Sequence, residues 1–384
     1  MNFARHLAPR LRQTKKSVLL LGPRQTGKST LVRSLEPGLV INLADEETFV
    51  DFLRDPGLLK RAVGTHRSVF IDEVQRIPSV LNTVQAIIDT GRGPKFFLTG
   101  SSARKLRRGQ ANLLPGRVLT YELGPLALSE LGAHFSLRAA LAKGLLPGVY
   151  AEDDVPTWQK VLRSYVMTYL KEEIQAEALT RNLEGFSRFF DAVVAQSGSF
   201  IDFTKLASLA AIERMSARRY FDVLVDTLVL NPVDPFTKSR GRRLIQHPRH
   251  FLFDVGVLNG ALRNFEPSAD RSGALLEHLT LQLLLSEAKS RDVDIRVSTY
   301  RTEAGAEVDF IVEHGADVVA VEVKASRRIG PSDLRGLTSF ARFIGKPHGA
   351  IVLYLGDREL HFDAVRALPF VEGVRYLADS WAQP

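Results

Sequence analysis

Eight consecutive residues carry the sharpest chemical signal in this chain. Gly22, Pro23, Arg24, Gln25, Thr26, Gly27, Lys28 and Ser29 meet the spacing G-x-x-x-x-G-K-[ST], and Thr30 follows at once. The glycines let backbone N–H groups turn inward around a phosphate, and the helix that starts there adds its dipole. Lys28 can reach the β- and γ-phosphates, and the Ser29 hydroxyl can ligate Mg²⁺. Chemistry on such a triphosphate needs an acid nearby. Ser68-Val69-Phe70-Ile71-Asp72-Glu73 supplies two at the end of an apolar run. Asp72 would hold the metal ion and Glu73 would orient and deprotonate the attacking water. A pair of acids, rather than Asp alone, points to hydrolysis. Ser101, in Leu98-Thr99-Gly100-Ser101-Ser102, is the candidate sensor of the γ-phosphate. Arg117, in Leu114-Pro115-Gly116-Arg117, is the candidate to reach a neighbouring subunit's nucleotide, with Arg104 as its rival.

A second set of charged residues lies near the C-terminus. Asp309 opens one apolar run, and Glu322 and Lys324 close another, Val319-Ala320-Val321-Glu322-Val323-Lys324. Alternate residues of a strand share a face, so Glu322 and Lys324 point together while Val321 and Val323 enter the core. A hairpin brings Asp309 alongside, and Glu277 on the preceding helix completes a shell for one or two Mg²⁺ ions that would activate water against a phosphodiester. The competing reading is an exposed cross-strand charge pair. The D…E-x-K order resembles the PD-(D/E)XK nucleases, archaeal Holliday-junction resolvases among them, although Val308 stands where that pattern has proline.

A third set is basic. Phe203–Ala210 reads as the first helix of a helix-turn-helix, and Ser216 as the cap of a second helix over Ala217–Leu228. Arg214, Arg218 and Arg219 cluster at its start, where recognition helices meet a groove. Lys238, Arg240, Arg242 and Arg243 would form a wing that sets cations near phosphates. Such modules also serve as protein contacts, so a protein partner stands beside DNA as an alternative. His247, His250 and His278 lack ligand spacing and read as packing or surface residues.

The elements that must position these groups are legible in outline. Val18–Leu21, Leu39–Leu43, Val69–Asp72, Phe96–Thr99 and Val118–Leu123 read as strands separated by helical stretches such as Ser29–Leu35 and Ser79–Thr90. That alternation predicts a mostly parallel sheet covered on both faces. Leu39–Leu43 lies in sequence between the loop and the acid pair, and is expected as a strand inserted between the two motif strands. Residues 151–262 read as helical, with Trp158–Leu170 and Phe186–Gln196 as helices, ending in a short basic hairpin. From 263 a long apolar helix, Ala274–Ala288, precedes strands at Ile295–Tyr300, Val308–Val312, Val318–Val323 and Ala350–Tyr354. The expected division is 1–150, 151–262 and 263–384.

Composition fits these expectations. The chain has 384 residues, 45% hydrophobic and 24% charged, enough for two or three folded domains and too apolar for general disorder. Cysteine is absent, which excludes disulfides, thiolate metal sites and a cysteine nucleophile. Net charge is +8, which favours polyanionic partners. The basic first residues lack the apolar core of a signal peptide, and no run approaches 18 apolar residues, so a cytoplasmic protein without a membrane span is expected.

Taken together, G-P-R-Q-T-G-K-S-T, F-I-D-E-V-Q-R-I-P, L-T-G-S-S, L-P-G-R-V and Y-E-L-G-P-L look like the AAA+ ATPases of prokaryotes that are usually named only as ATP-binding proteins. The resemblance covers nearly the whole chain. It implies an α/β fold: an AAA+ P-loop parallel sheet, a helical and winged-helix middle domain, and a restriction-endonuclease-like α/β C-terminal domain. An AAA+ core followed by a winged helix also resembles bacterial Holliday-junction branch-migration motors. The implied activity is hydrolysis of Mg-ATP by a homo-oligomer, a hexamer being one option, acting on DNA. A metal-dependent nuclease gated by ATP and an ATP-dependent protein-binding switch are the alternatives.

Overall fold

In a computed structural model the chain is described over residues 3–101, 114–170, 182–236 and 247–381. α1 (Leu7–Gln13) leads into β1 (Ser17–Leu21), all of whose residues are buried. There follow α2 (Lys28–Arg33), β2 (Leu39–Asn42), α3 (Glu46–Arg54), α4 (Leu58–Val63), β3 (Ser68–Asp72), α5 (Val80–Asp89), β4 (Lys95–Gly100) and β5 (Val118–Glu122). The five strands form one parallel sheet in the order β2-β3-β4-β1-β5. Its central strands are almost wholly apolar because both faces are covered. Leu19, Ile71 and Leu98 pack on one side, and Val18, Leu20, Phe70 and Phe97 on the other. The strand inserted between β1 and β3 is β4, not the expected Leu39–Leu43, which forms the sheet edge as β2. Sequence adjacency does not settle strand order; β4 takes the inner position because its residues from Phe96 to Gly100 are all buried, whereas Val40 of β2 is exposed.

The middle of the chain is helical: α6 (Leu128–Leu131), α7 (Leu137–Lys143), α8 (Pro147–Tyr150), α9 (Val155–Ser164), α10 (Leu183–Ala195), α11 (Phe203–Ala210) and α12 (Arg214–Asp226). The expected helix Trp158–Leu170 begins earlier, where Asp154 caps it by accepting from the Thr157 N–H at 2.9 Å, and it widens to a π-helical turn over Tyr165–Leu170. α12 begins at Arg214, so Ser216 lies inside it rather than capping it. The reason is local. Ala211 is left-handed, and Ile212 N–H donates to the Ala207 carbonyl at 3.0 Å, which finishes the turn early enough for Glu213 to stand at the helix N-cap.

β6 (Leu230–Pro235) and β7 (Arg249–Leu252) then form an antiparallel hairpin, and α13 (Val255–Leu262) follows. The last part contains α14 (Ser272–Arg291), β8 (Arg296–Arg301), β9 (Glu307–His314), β10 (Asp317–Lys324), α15 (Arg335–Ile344), β11 (Gly349–Tyr354), β12 (Leu360–Phe362), β13 (Val365–Pro369) and α16 (Phe370–Ser380). Its strands and the hairpin share one sheet in the order β12-β13-β11-β10-β9-β8-β6-β7. The junction is the parallel pairing of Asp234 with Ser298 and of Pro235 with Thr299. One hydrophobic core runs from Leu126 through the middle helices to Trp381, taking in Phe251, α14 and the Phe310, Val321 and Val323 face of the sheet. The other face packs Tyr300 and Tyr354 against Phe340 of α15. Among the described residues no helix is long and apolar enough to cross a membrane.

Candidate functional site

The loop between β1 and α2 has the backbone that a phosphate cradle needs. Gly27 has φ +90°, open to glycine, and Gln25 is left-handed at φ +60°. At Gly22 a Cβ would stand 2.2 Å from the Leu123 carbonyl oxygen, so the backbone just after β5 leaves room only for hydrogen there. Thr26 is fully buried and its Oγ1 donates to the Pro23 carbonyl at 2.9 Å. Lys28, 4% exposed, folds onto the loop and donates from Nζ to the carbonyls of Gly22 and Pro23 at 2.8 Å each. Arg24 contributes its carbonyl, which accepts from the Tyr165 hydroxyl at 3.3 Å. Thr30 lines the cavity beside α2.

The acid pair stands beside this loop because β3, β4 and β1 are neighbours and parallel, so their C-terminal ends open on one edge. Asp72 is buried, and its Oδ1 accepts from Ser29 Oγ at 2.9 Å and from Thr99 Oγ1 at 2.5 Å. Glu73 comes next with φ +58°, a left-handed conformation that costs a non-glycine residue about 1 kcal/mol or more and tends to mark working sites. Its N–H donates to Thr99 Oγ1 at 3.2 Å. Gln75 Nε2 donates to the Glu73 carboxylate and, at 3.0 Å, to Ser101 Oγ. Ser101 is fully buried. Thr99 and Gln75 are two site residues that spacing did not single out, although both lie inside strings already noted, L-T-G-S-S and F-I-D-E-V-Q.

Arg5 was also missed, because nothing in a basic N-terminal stretch marks one arginine. It is 9% exposed and donates to the Thr26 carbonyl at 2.6 Å and to the Gly124 carbonyl at 3.0 Å, while its Nε lies 3.0 Å from Glu130 of α6. A cavity of about 580 Å³ opens beside it, walled by Phe3, Ala8 and Pro9, by Gly27 and Thr30, and by Pro147. Arg117 lies elsewhere. It precedes β5, at the opposite edge of the parallel sheet from the loop, and pairs with Asp89 at 2.6 and 3.1 Å. Arg104 lies outside the described residues.

The C-terminal carboxylates do come together, but around an arginine. Asp309 and Glu322 are 8% exposed each. Asp309 Oδ2 accepts from the Val323 N–H at 2.8 Å, and Lys324 Nζ donates to Glu322 Oε1 at 2.5 Å. Burial, then the charges of Glu322 and Glu277, push the Asp309 carboxyl well above its ordinary range, and burial raises Glu322 as well. Arg249 of β7 reaches into the cluster. It donates from NH2 to Glu277 Oε2 at 2.5 Å, and its NH1 lies 3.7 Å from Asp309 Oδ1 and 3.8 Å from Glu307 Oε1. Among the described residues no three His, Cys, Asp or Glu side chains are arranged to hold a metal ion. The residues as they stand therefore do not fit the Mg²⁺ expected here.

Arg214, Arg218 and Arg219 are exposed on the first turns of α12, and Arg218 sits 5.9 Å above the Phe203 ring of α11. Leu209 and Met215 are exposed on the same module, at 56% and 75%. Lys238, Arg240, Arg242 and Arg243 lie outside the described residues. His250 and His278 are buried, their Nε2 atoms 3.0 Å from the Val193 carbonyl and 2.6 Å from the Leu252 carbonyl.

Residues 14–132 match the family model of an AAA domain. Together with the strand order and the loop, this makes the N-terminal part an AAA-type P-loop domain. Residues 134–268 and 272–372 match two further models, each described only as a domain of unknown function. An uncharacterized protein of Mycobacterium tuberculosis is 28% identical over 365 residues, 92% of this chain and 79% of that one. An uncharacterized protein of Methanocaldococcus jannaschii is 22% identical over 330 residues, 77% of this chain and 72% of that one. Among solved structures, a signal transduction ATPase with a tetratricopeptide repeat sensor from Pyrococcus horikoshii is 12% identical at a TM-score of 0.23, covering 74% of this chain and 46% of that one. This chain thus spans under half the length of that neighbour. AMPPCP-bound DnaA from Aquifex aeolicus is 10% identical at the same TM-score, covering 57% of this chain and 84% of that one.

Proposed function

We propose that this chain is an AAA+ ATPase that hydrolyses Mg-ATP and couples the turnover to binding or remodelling DNA. The observation that carries the reading is the 2.9 Å hydrogen bond from Ser29 of the phosphate loop to Asp72 of the neighbouring strand. It brings the two groups that hold a hydrated metal–phosphate unit to one point, and both offer the oxygen donors that Mg²⁺ takes. The ion, when bound, would neutralise phosphate charge.

The remaining work falls to the chain. Backbone N–H groups from Gly22 to Ser29 cradle the phosphates, and Lys28 exchanges its two loop carbonyls for phosphate oxygens. Glu73 accepts the proton of the attacking water. Gln75 holds that carboxylate in place and is bonded in turn to Ser101, the candidate sensor of the γ-phosphate. Thr99 keeps Asp72 and the Glu73 backbone in register. The apolar cavity next to α2 suits the flat base of the nucleotide. Arg117 stands at the opposite edge of the sheet, so a nucleotide it contacts is a neighbouring subunit's, as a homo-oligomer such as a hexamer would provide.

The test is Glu73→Gln. It should bind ATP as the wild type does and lose turnover by about 10²–10⁴-fold. Equal turnover would sink the assignment. DNA as the coupled partner rests on the exposed Arg214, Arg218 and Arg219 and the net charge of +8. A second reading, an ATP-dependent switch for a protein partner, is favoured by exposed Leu209 and Met215 on the same helices. Stimulation of turnover by linear, forked or four-way DNA supports the first, and indifference to all three supports the second. An ATP-gated nuclease is the least supported reading, because an arginine stands among the carboxylates it would use.

A further inference from the structure

The N-terminal ends of the first sheet's strands carry a row of positive charge. Arg67 precedes β3, Lys95 opens β4, Lys16 precedes β1 and Arg117 precedes β5. These four strands are neighbours in that order, about 4.8 Å apart. The residues come from four separate stretches of chain, so no run of sequence marks the row. Lys95 and Lys16 turn their ammonium groups onto backbone carbonyls, of Leu11 at 2.7 Å and of Gly116 at 3.2 Å. The charge left open lies at the β3 end, where a cavity of about 450 Å³ is lined by Lys60, His66, Arg67 and Arg92, with Thr65 and Thr90. Among the described residues no acid lines it. None of the four basic side chains forms an ion pair with a described residue, whereas nearby Arg61 and Arg117 are answered by Asp55 and Asp89. The backbone fixes two of the four. The Arg67 carbonyl accepts from the Lys95 N–H at 3.0 Å. The Arg92 N–H donates to Thr90 Oγ1 at 3.3 Å, and a Cβ on Gly93 would stand 2.7 Å from the Ile87 side chain, so this loop lies tight on α5.

We infer that this edge of the first sheet is a second contact surface for DNA, with a backbone phosphate seated in the cavity that Lys60, Arg67 and Arg92 line. Like charges held around one recess repel each other, and an anion between them turns that repulsion into attraction. Guanidinium groups match phosphate oxygens in pairs, which suits Arg67 and Arg92 to the task. From Arg67 to Arg117 the row crosses three strand spacings, about 14 Å. That is longer than one phosphate group and fits a ligand that carries several in line. Glu36, ahead of β2, and Asp89, already taken up by Arg117, are outnumbered. The phosphate loop lies at the other end of the same strands, about 16 Å away along the five residues of β3. DNA on this edge therefore leaves the way to the nucleotide site open. The inference rests on the reading of DNA as the partner and adds to α12 a surface that the helix-turn-helix does not supply.

The test uses the whole chain and fluorescence anisotropy with labelled linear and four-way DNA over a series of salt concentrations. The double variant Arg67→Ser, Arg92→Ser should bind both DNAs more weakly, and the slope of log affinity against log salt should become shallower by about 2, one phosphate contact for each arginine. Turnover of ATP without DNA should stay at the wild-type rate. Arg67→Lys with Arg92→Lys keeps the charges and should keep the slope, and Lys60→Ser with Arg92→Ser is the second variant should the first fail to fold. A folded Ser variant with the wild-type slope overturns the proposal. The same series on Arg214→Ser, Arg218→Ser, Arg219→Ser separates this from the reading on which it rests: loss of binding there, with the edge variant unchanged, leaves DNA as the partner and removes the second surface. A parent chain that binds neither DNA sinks both. Vesicles containing phosphatidylserine form the last arm. Binding to them that needs Arg67 and Arg92, beside DNA binding that does not, overturns the proposal in favour of a lipid surface.

Discussion

At the scale of single residues, three side chains do work out of proportion to their prominence in the sequence. Arg5 is a buried cation that ties the α1 leader, the phosphate loop and α6 through the Thr26 carbonyl and Glu130. Breaking one side of a buried ion pair costs about 3–5 kcal/mol, because the other charge stays buried and unpaired. Arg5→Met should therefore lower stability by that order in denaturant titration and weaken ATP binding, with Lys28 intact. Gln75 touches both Glu73 and Ser101, so Gln75→Ala should lower turnover more than it lowers ATP affinity. His278 is buried and neutral. Burial lowers its pKa from about 6.5 to about 4, against the Leu252 carbonyl that would favour the charged form. A depressed folded pKa means the unfolded chain takes up the proton first as pH falls. The stability contributed by neutral His278 is thus present above pH 6.5 and is lost between about 6.5 and 4, by at most about 3 kcal/mol. Comparing the pH dependence of urea midpoints for the wild type and His278→Gln checks this: the variant should have the shallower acid slope.

At the scale of elements, close approach explains several positions that pattern cannot. α15 packs on β9 where Gly336 has no side chain, and a Cβ there would sit 1.8 Å from the Glu307 carbonyl oxygen. Gly336→Ala must push the helix off the sheet, with an expected cost of about 1–3 kcal/mol by overpacking. That shift would also move Glu307, which faces Arg249. A melting-temperature loss in Gly336→Ala that Gly273→Ala does not match checks this, since nothing lies within 4 Å of a Cβ at Gly273 and its backbone is not left-handed. α11 and α12 are legible as two helices, but the sequence misplaces the start of the second, because Ser216 resembles a cap and the left-handed Ala211 that fixes the turn does not announce itself. Leucine and valine content gave the strands of the first sheet away; the order in which they lie did not follow from it.

At the scale of the whole molecule, the middle helices and the C-terminal sheet share a hydrophobic core and a β-sheet, so neither moves without the other. A polar chain also crosses from the first region. Ser129 of α6 donates to Glu287 of α14 at 2.7 Å from N and 2.8 Å from Oγ, and Glu130 beside it holds Arg5. In an oligomer, Arg117 is free to change partners, since its half-exposed pair with Asp89 is a surface ion pair worth about 0–1 kcal/mol. Arg117→Ala should lower turnover by about 10³-fold or more while sparing ATP binding. Mixed with Glu73→Gln, it should recover part of the activity, because each protein supplies the group the other lacks across a shared interface. No recovery on mixing would place the arginine outside any shared site.

What the sequence determined by itself is local and chemical. The loop from Gly22 to Ser29, the acids at Asp72 and Glu73 and the apolar runs that become β1, β3 and β4 follow from contiguous residues, since a phosphate cradle and a buried strand are each built within one short stretch. What only the tertiary structure decided are the contacts between distant stretches. Arg5 meets Thr26 and Glu130, Gln75 meets Ser101, β4 enters between β1 and β3, and Arg249 enters the carboxylates of α14, β9 and β10. Spacing encodes which side chains one element presents on one face. It does not encode which element arrives opposite, and for a buried charge that arrival decides whether a group of carboxylates awaits a metal ion or is already answered by an arginine.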